Sequence, residues 1–244
     1  MHIVDSTCAT HESKNKECFV PRVLILKMGT TEPVIVEKHG DYESWFQQAL
    51  EDLGCSIEVF SVFEGEGLPV ALDADGVLLT GSPLSVRDEL PWMKEVGQWA
   101  VEKASMGTPV LGVCFGHQLL GELLGGRVEE NPRGPEWGAI EVALEEAGQG
   151  DPLFHSLPSP MWVQASHRDV LVDGASELVV LARNPNTAIQ AYAWGRYLRG
   201  VQFHPELDPV VLRDLLAERS LSGKFVQSEH GRMILSNWVK HWLR

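Results

Sequence analysis

The chain has 244 residues, 44% of them hydrophobic, so it is long enough and apolar enough to bury a large core. Its 34 acidic residues outnumber its 20 Lys and Arg residues and give a net charge of −14. This excess of negative charge argues against nucleic acid or an anionic membrane surface as the main partner.

Residues 1–20 are polar and lack the apolar core of a secretory signal peptide, so they predict a flexible N-terminal leader. No apolar run elsewhere is long enough for a transmembrane helix, and we expect a cytoplasmic protein. The four cysteines (Cys8, Cys18, Cys55 and Cys114) show no Cys-x-x-Cys spacing. A zinc site is therefore not indicated, and no metal or other cofactor is expected.

The first half of the chain alternates apolar strands with amphipathic helices. The predicted strands are 22–28, 56–61, 76–80 and 110–113, and the predicted helices are 41–53, 89–106 and 118–124. Strands that alternate with helices predict right-handed βαβ units and a mostly parallel sheet.

After Gly126 the pattern changes to short apolar segments separated by turns, which predicts antiparallel pairing. The segments are 127–130, 138–144, 161–165, 178–182, 188–194 and 197–203, followed by closing helices over 208–219 and 232–243. The predicted fold is therefore α/β: an open, mostly parallel twisted sheet with flanking helices and a β-rich antiparallel extension. No linker divides the chain, so residues 21–244 are predicted to form one domain.

Cys114 lies between Gly112 and Gly116, directly after an apolar strand and before a helical segment. A nucleophile on such a strand-to-helix turn is held exposed in a strained conformation, and the amides of the helix start favour negative charge on its sulfur. An ordinary buried cysteine of the core is the alternative interpretation.

His204 follows another apolar strand, and Glu206 comes two residues later, after Pro205. Side chains two apart on an extended chain point to the same side, so the carboxylate can hold one imidazole nitrogen while the other faces a nucleophile. Taken alone, this pattern also fits a surface histidine beside a solvated glutamate.

The chain resembles the class I (triad) glutamine amidotransferases. The matching segments are Gly112-Val113-Cys114-Phe115-Gly116-His117-Gln118, Gly200-Val201-Gln202-Phe203-His204-Pro205-Glu206, Leu79-Thr80-Gly81-Ser82-Pro83 and Gln164-Ala165-Ser166-His167-Arg168-Asp169. Within the family, the chain is most similar to the subgroup that contains the glutaminase domain of GMP synthetase and the stand-alone γ-glutamyl peptide hydrolases. The resemblance implies a flavodoxin-like glutaminase fold.

The resemblance implies that a γ-glutamyl amide is cleaved through a thioester on Cys114, with His204 as the base and Glu206 as its orienting carboxylate. The oxyanion would be bound by the backbone N–H of Phe115 and by that of Gly81 or Ser82.

Substrate binding is implied for Gln118, whose side chain has donor and acceptor atoms, and for the backbone of Ser166 and His167. His117 and Asp169 are expected to have local structural roles. His167 as a second base is a less favoured alternative. A loop over 131–138, with Arg133, Glu136 and Trp137, is expected to shape the leaving-group pocket.

Three functions stay open on this basis. The first is a hydrolase of glutamine or a small γ-glutamyl compound. The second is a glutaminase subunit that needs a separate synthetase subunit, since no synthetase domain follows the His-Pro-Glu segment. The third is a non-catalytic regulatory protein that keeps the fold.

Overall fold

The computed structural model describes residues 19–174 and 176–243 and has a mixed α/β architecture. The strands are β1 (Arg22–Lys27), β2 (Ser56–Ser61), β3 (Gly76–Leu79), β4 (Val110–Val113), β5 (Arg127–Glu130), β6 (Glu136–Leu144), β7 (Met161–His167), β8 (Asp169–Asp173), β9 (Val179–Arg183), β10 (Ala191–Trp194) and β11 (Leu198–Val201). The helices are α1 (Pro33–His39), α2 (Tyr42–Glu51), α3 (Pro91–Ser105), α4 (Phe115–Leu123), α5 (Glu146–Gln149), α6 (Pro209–Glu218) and α7 (His230–Trp242). The expected leader lies largely outside the described residues.

Nine strands form one sheet in the order β2-β1-β3-β4-β11-β10-β9-β6-β7. The half from β2 to β11 is parallel, and the half from β11 to β7 is antiparallel. Helices flank this sheet, which confirms the predicted fold class. Buried side chains cover both faces of the parallel half, as expected for strands enclosed by helices, and β3 and β4 are buried at every position.

Three local predictions differ from the structure. The sequence predicts antiparallel pairing for the segment 197–203, but its strand β11 also pairs in parallel with β4. Helix α1 is absent from the predicted elements, because its β-branched residues Val34, Ile35 and Val36 do not favour a helix, although Pro33 at its start does. Strand β8 is absent from them as well, and it pairs with β5 in a separate two-stranded sheet.

The parallel pairing of β11 with β4 determines where the candidate residues lie. Strands β3, β4 and β11 are adjacent and run in the same direction, so their carboxyl ends lie together at one edge of the sheet. Gly81, Cys114 and His204 follow these three ends. Ligands of open α/β sheets bind at this edge.

None of the helices in residues 19–174 and 176–243 has the length and apolar character needed to cross a lipid bilayer.

Candidate active site

Cys114 occupies a strained turn between β4 and α4. Its φ is 51° and its ψ is −99°, and positive φ is uncommon for a residue with a side chain. The Cys114 amide donates to the Val201 carbonyl of β11 (2.9 Å), which fixes the turn. A Cβ at Gly112 would lie 2.7 Å from the Gly116 carbonyl oxygen, so the tight turn requires glycine at position 112. The strained strand-to-helix turn is the one that the two flanking glycines predict. Cys114 is not exposed as expected, however, because the residue is only 6% exposed.

His204 is held between Glu206 and Cys114. Its Nδ1 lies 2.7 Å from Glu206 Oε1, and its backbone N–H donates to the Gln164 carbonyl (2.8 Å). The Cys114 side chain lies close enough to the imidazole to help raise the pKa of His204. The side chains of His204 and Glu206 are 3% and 0% exposed. The three predicted catalytic residues therefore lie in a row, with the imidazole in the middle.

The electrostatics of this row favour a positive charge on His204. Burial opposes the charged imidazole, but the negative charges of Glu206 and Cys114 outweigh it and raise the pKa of His204 to about 10. A protonated His204 can stabilise negative charge that develops on the sulfur of Cys114.

The end of β3 meets the start of α4 beside Cys114. The amide of Gly116 donates to the Thr80 carbonyl (3.2 Å), and a Cβ at Gly81 would lie 2.8 Å from His204 Cε1. The backbone N–H groups of Gly81, Ser82 and Phe115 donate to no acceptor within residues 19–174 and 176–243. These are the three amides predicted for the oxyanion.

A cleft of about 350 Å³ opens beside the Cys114 side chain. It is lined by five further predicted site residues, namely Ser82, Phe115, Gln118, Ser166 and His167. A separate cavity of about 200 Å³ contacts His204 and Glu206 but is not lined by Cys114. We therefore place the candidate substrate site in the larger cleft.

The structure places the predicted substrate-binding residues Gln118, Ser166 and His167 in two different settings. The amide nitrogen of Gln118 donates to the Asp169 carbonyl (2.6 Å) and to Gln202 Oε1 (3.1 Å). Both N–H donors are thereby used, so only its Oε1 is left for a ligand, whereas the sequence suggested a donor and an acceptor. Ser166 and His167 are the last two residues of β7, where sequence analysis placed them after the end of the strand.

His167 lines the cleft, but its side chain is buried and approaches Glu136. Its Nε2 lies 3.3 Å from Glu136 Oε2, and its side chain is 1% exposed. Burial tends to raise the pKa of Glu136, but the nearby His167 and the hydrogen bond from Thr187, with others, lower it overall. Asn184 (2.6 Å), Thr187 (2.6 Å) and Gln190 (2.8 Å) donate to the same carboxylate.

The segment predicted as a leaving-group loop is in part strand β6. Trp137 lines the cleft as expected, but Glu136 faces His167 in the interior and Arg133 is not among the lining residues. The prediction was wrong for Glu136. A carboxylate in a polar segment is usually found at the surface, whereas the Glu136 carboxylate is buried among four polar side chains.

His117 and Asp169 have the expected local contacts. The His117 carbonyl accepts from the Tyr192 hydroxyl (2.7 Å), and burial lowers the pKa of His117 to about 3, so this histidine is neutral. Asp169 accepts from the Ser85 hydroxyl and lies 3.6 Å from Arg87. Within residues 19–174 and 176–243, no group of three or more His, Cys, Asp or Glu side chains is arranged to hold a metal ion.

Two residues of the site were not found from the sequence. Arg219 lines the cleft, and Tyr42 packs against Gly81, since a Cβ there would lie 3.3 Å from Tyr42 Cε1. Tyr42 begins α2 and Arg219 directly follows α6, and neither helix contains a motif, so the local pattern gave no indication of their place.

Comparison with known proteins assigns the family. The family model for class-I glutamine amidotransferases matches residues 34–220, which is more than half of the chain. The chain belongs to the class-I glutamine amidotransferase family. A solved glutamine amidotransferase from Methylobacillus flagellatus supports the fold, with a TM-score of 0.74 and 20% identity over 93% of this chain and 97% of that one.

Three relatives of this chain have different names. GMP synthase [glutamine-hydrolyzing] of Aeropyrum pernix is 34% identical over 84% of this chain, which spans only 35% of that relative's length. A single subunit of the GMP synthase [glutamine-hydrolyzing] of Methanopyrus kandleri is 31% identical over 85% of this chain and 96% of its own length. Gamma-glutamyl peptidase 5 of Arabidopsis thaliana is 25% identical over 84% of this chain and 83% of its own. The names of these relatives support an enzyme.

Proposed function

We propose that the protein hydrolyses the γ-amide of glutamine or of a small γ-glutamyl compound through a thioester on Cys114. The observation that carries this proposal is the row formed by Cys114, His204 and Glu206 at the wall of a cleft. A strained cysteine, a histidine whose pKa is raised to about 10 and a buried carboxylate together match the requirements of nucleophilic acyl transfer.

In the first step, the Cys114 sulfur forms a bond to the γ-carbonyl carbon while His204 holds the thiol proton. The resulting oxyanion is bound by the backbone N–H of Phe115 and by that of Gly81 or Ser82. The carbon–nitrogen bond then breaks, and His204 gives its proton to the leaving nitrogen. Glu206 keeps the imidazole oriented and stabilises its positive charge.

In the second step, the oxygen of water bonds to the thioester carbon while His204 takes a proton from the water. The carbon–sulfur bond then breaks, the proton on His204 returns to the Cys114 sulfur, and glutamate is released. The products are glutamate and either ammonia or an amine. In the binding site, Gln118 Oε1 accepts from the substrate α-ammonium group, and the backbone of Ser166 and His167 positions the same end of the substrate. The chemistry requires no cofactor. We place it in the cytoplasm, where a catalytic thiol stays reduced.

The test is glutamate release from L-glutamine and from a γ-glutamyl dipeptide, measured with the wild type beside Cys114→Ala. We expect release from at least one substrate and a loss of at least about 10³-fold in the variant, as for removal of a nucleophile. Equal release by both proteins would rule out the proposed mechanism.

A second candidate is a glutaminase subunit that supplies ammonia to a separate synthetase subunit. The similarity to the GMP synthase subunit of Methanopyrus kandleri, over 96% of that relative's length, favours it. Its expected result is slow glutamine hydrolysis by the protein alone and a clear increase when a GMP synthetase subunit is added. Brisk hydrolysis that the added synthetase leaves unchanged would contradict this candidate.

A further inference from the structure

A side-chain hydrogen bond joins two walls of the Cys114 cleft that are far apart in the sequence. The Ser85 hydroxyl donates to Asp169 Oδ2, and both residues line the cleft. Ser85 belongs to the segment between β3 and α3, whereas Asp169 is the first residue of β8. The Asp169 side chain is 14% exposed, so the bond is largely shielded from water, which strengthens it. Arg87 lies 3.6 Å from the same carboxylate but is half exposed, so its charge adds little.

The segment that carries Ser85 also carries the Ser82 amide, which is proposed to bind the oxyanion. The Ser82 hydroxyl accepts from the Leu84 backbone N–H (3.1 Å). The Ser85 hydroxyl oxygen accepts from the Arg87 N–H (3.2 Å) and caps a short 3₁₀ turn, Val86–Asp88. These bonds make the chain from Ser82 to Ser85 a tight turn, so a displacement of Ser85 also displaces the Ser82 amide.

Little buried surface holds this segment to the protein. Pro83, Leu84 and residues 87–90 are exposed, whereas Val86 is buried. A segment with so few buried contacts is readily displaced unless a further contact fixes it. The Asp169 carboxylate provides such a contact at Ser85.

Asp169 is also held at its own backbone. Its carbonyl accepts from Gln118 Nε2 (2.6 Å), and the residue pairs with Glu130 of β5. Asp169 therefore contacts both Gln118, which is proposed to bind the substrate ammonium group, and the segment with the oxyanion amide. A change of the Asp169 side chain leaves its carbonyl in place, so the two contacts can be separated by substitution.

We propose that Asp169 is a positioning residue whose carboxylate holds Ser85, so that the Ser82 N–H lies where the oxyanion forms. This inference rests on the proposed hydrolysis at Cys114 and names a residue that supports its transition state. Both the formation and the hydrolysis of the thioester pass through an oxyanion, so a displaced donor slows whichever step limits the rate. The substrate carries no oxyanion before it reacts, so its binding should depend little on this donor.

The experiment measures kcat and KM of Asp169→Ala, which removes the acceptor, on L-glutamine and on a γ-glutamyl dipeptide. We expect kcat to fall by about 10–100-fold, as for displacement of one oxyanion donor, and KM to stay within about threefold. Ser85→Ala removes the donor of the same bond and should also lower kcat. The double variant should lose far less than the product of the two single losses. Asp169→Asn keeps an oxygen that accepts from Ser85 and should retain most of the kcat.

Alkylation of Cys114 separates loss of the oxyanion donor from general damage to the site. Iodoacetamide forms a carbon–sulfur bond as iodide leaves, and this displacement passes through no oxyanion. The rate is followed by the mass of the peptide that contains Cys114. In Asp169→Ala it should stay within about twofold of the wild-type rate, because the thiol and His204 are unchanged.

Asp173→Ala is the matched control, since Asp173 lies on the same strand as Asp169, pairs with Arg127 at the surface and is absent from the cleft lining. It should keep the wild-type kcat and KM. Thermal melting compares the fold of each variant with that of the wild type. If Asp169→Ala does not fold, the kcat of Ser85→Ala decides the question.

Three results would each overturn this inference and leave the hydrolase standing. They are a kcat close to wild type in folded Asp169→Ala or Ser85→Ala, a KM that rises as much as kcat falls, and alkylation of Cys114 that slows in parallel with kcat. If the wild type shows no Cys114-dependent glutamate release from either substrate, the proposed function is overturned, and the inference with it.

Discussion

Replacing Glu206 by Gln removes the negative charge from the buried partner of His204 and keeps the size of the side chain. The rise of the His204 pKa from 6.5 to about 10 corresponds to about 5 kcal/mol in favour of the imidazolium, at 1.36 kcal/mol per pKa unit. Glu206 and Cys114 both contribute to this free energy, and burial of the imidazole opposes it. Without Glu206, the pKa of His204 falls, and the imidazole loses its proton at a lower pH.

The assay is the pH dependence of kcat/KM for Glu206→Gln beside wild type, with Glu218→Gln as control, since Glu218 is exposed on α6. In the wild type, activity should decline on the alkaline side near pH 10, where His204 loses its proton. In Glu206→Gln this decline should move to lower pH, and the maximum should drop by about 10²–10⁴-fold. An alkaline decline at the wild-type pH, with activity within a few-fold, would refute the argument.

The same pKa shift predicts how stability depends on pH. Because the folded-state pKa of His204 lies above its unfolded value of 6.5, its contribution is fully present below pH 6.5 and is lost as the pH rises through about 10. Urea unfolding of the wild type should show this loss, and Glu206→Gln should show much less of it. An equal loss in both proteins would assign the effect to other groups.

Three further substitutions test separate parts of the structure. Gly81→Ala should lower kcat by about 10²-fold or more in a folded protein, since its Cβ would lie 2.8 Å from His204 Cε1; a kcat near wild type would contradict this. Glu136→Gln should raise KM more than it lowers kcat, because it weakens the support of β7, whose last residues we propose to bind the substrate; a fall in kcat alone would argue against that role. Asp151→Asn should lower the free energy of unfolding by about 3–5 kcal/mol, as for a broken buried ion pair with Arg199; a loss below about 1 kcal/mol in urea would contradict it.

The turns of the candidate site were predictable from the sequence because their residues have strict local requirements. Glycines on both sides of Cys114 indicate a turn in which a side chain at either position would clash, and the structure has that turn. The sequence from His204 to Glu206 predicts an extended segment in which these two side chains lie on the same side. The structure agrees, because His204 Nδ1 lies 2.7 Å from Glu206 Oε1.

The remaining parts depend on pairing and packing that a local pattern does not contain. An apolar strand such as β11 has the same pattern whether its neighbours are parallel or antiparallel, so its position beside β4 could not be predicted. Arg219 follows an ordinary amphipathic helix, and only the three-dimensional structure brings it to the cleft. Glu136 is polar in sequence but buried, because its partners come from distant segments.

The central claim, that Cys114 carries the substrate as a γ-glutamyl thioester, is tested most directly by acid-quenching the protein during turnover and measuring its mass. The account predicts an adduct of one γ-glutamyl group on the peptide that contains Cys114 and none on Cys114→Ala. Turnover at the wild-type rate by Cys114→Ala, or an adduct on a different residue, would contradict the account.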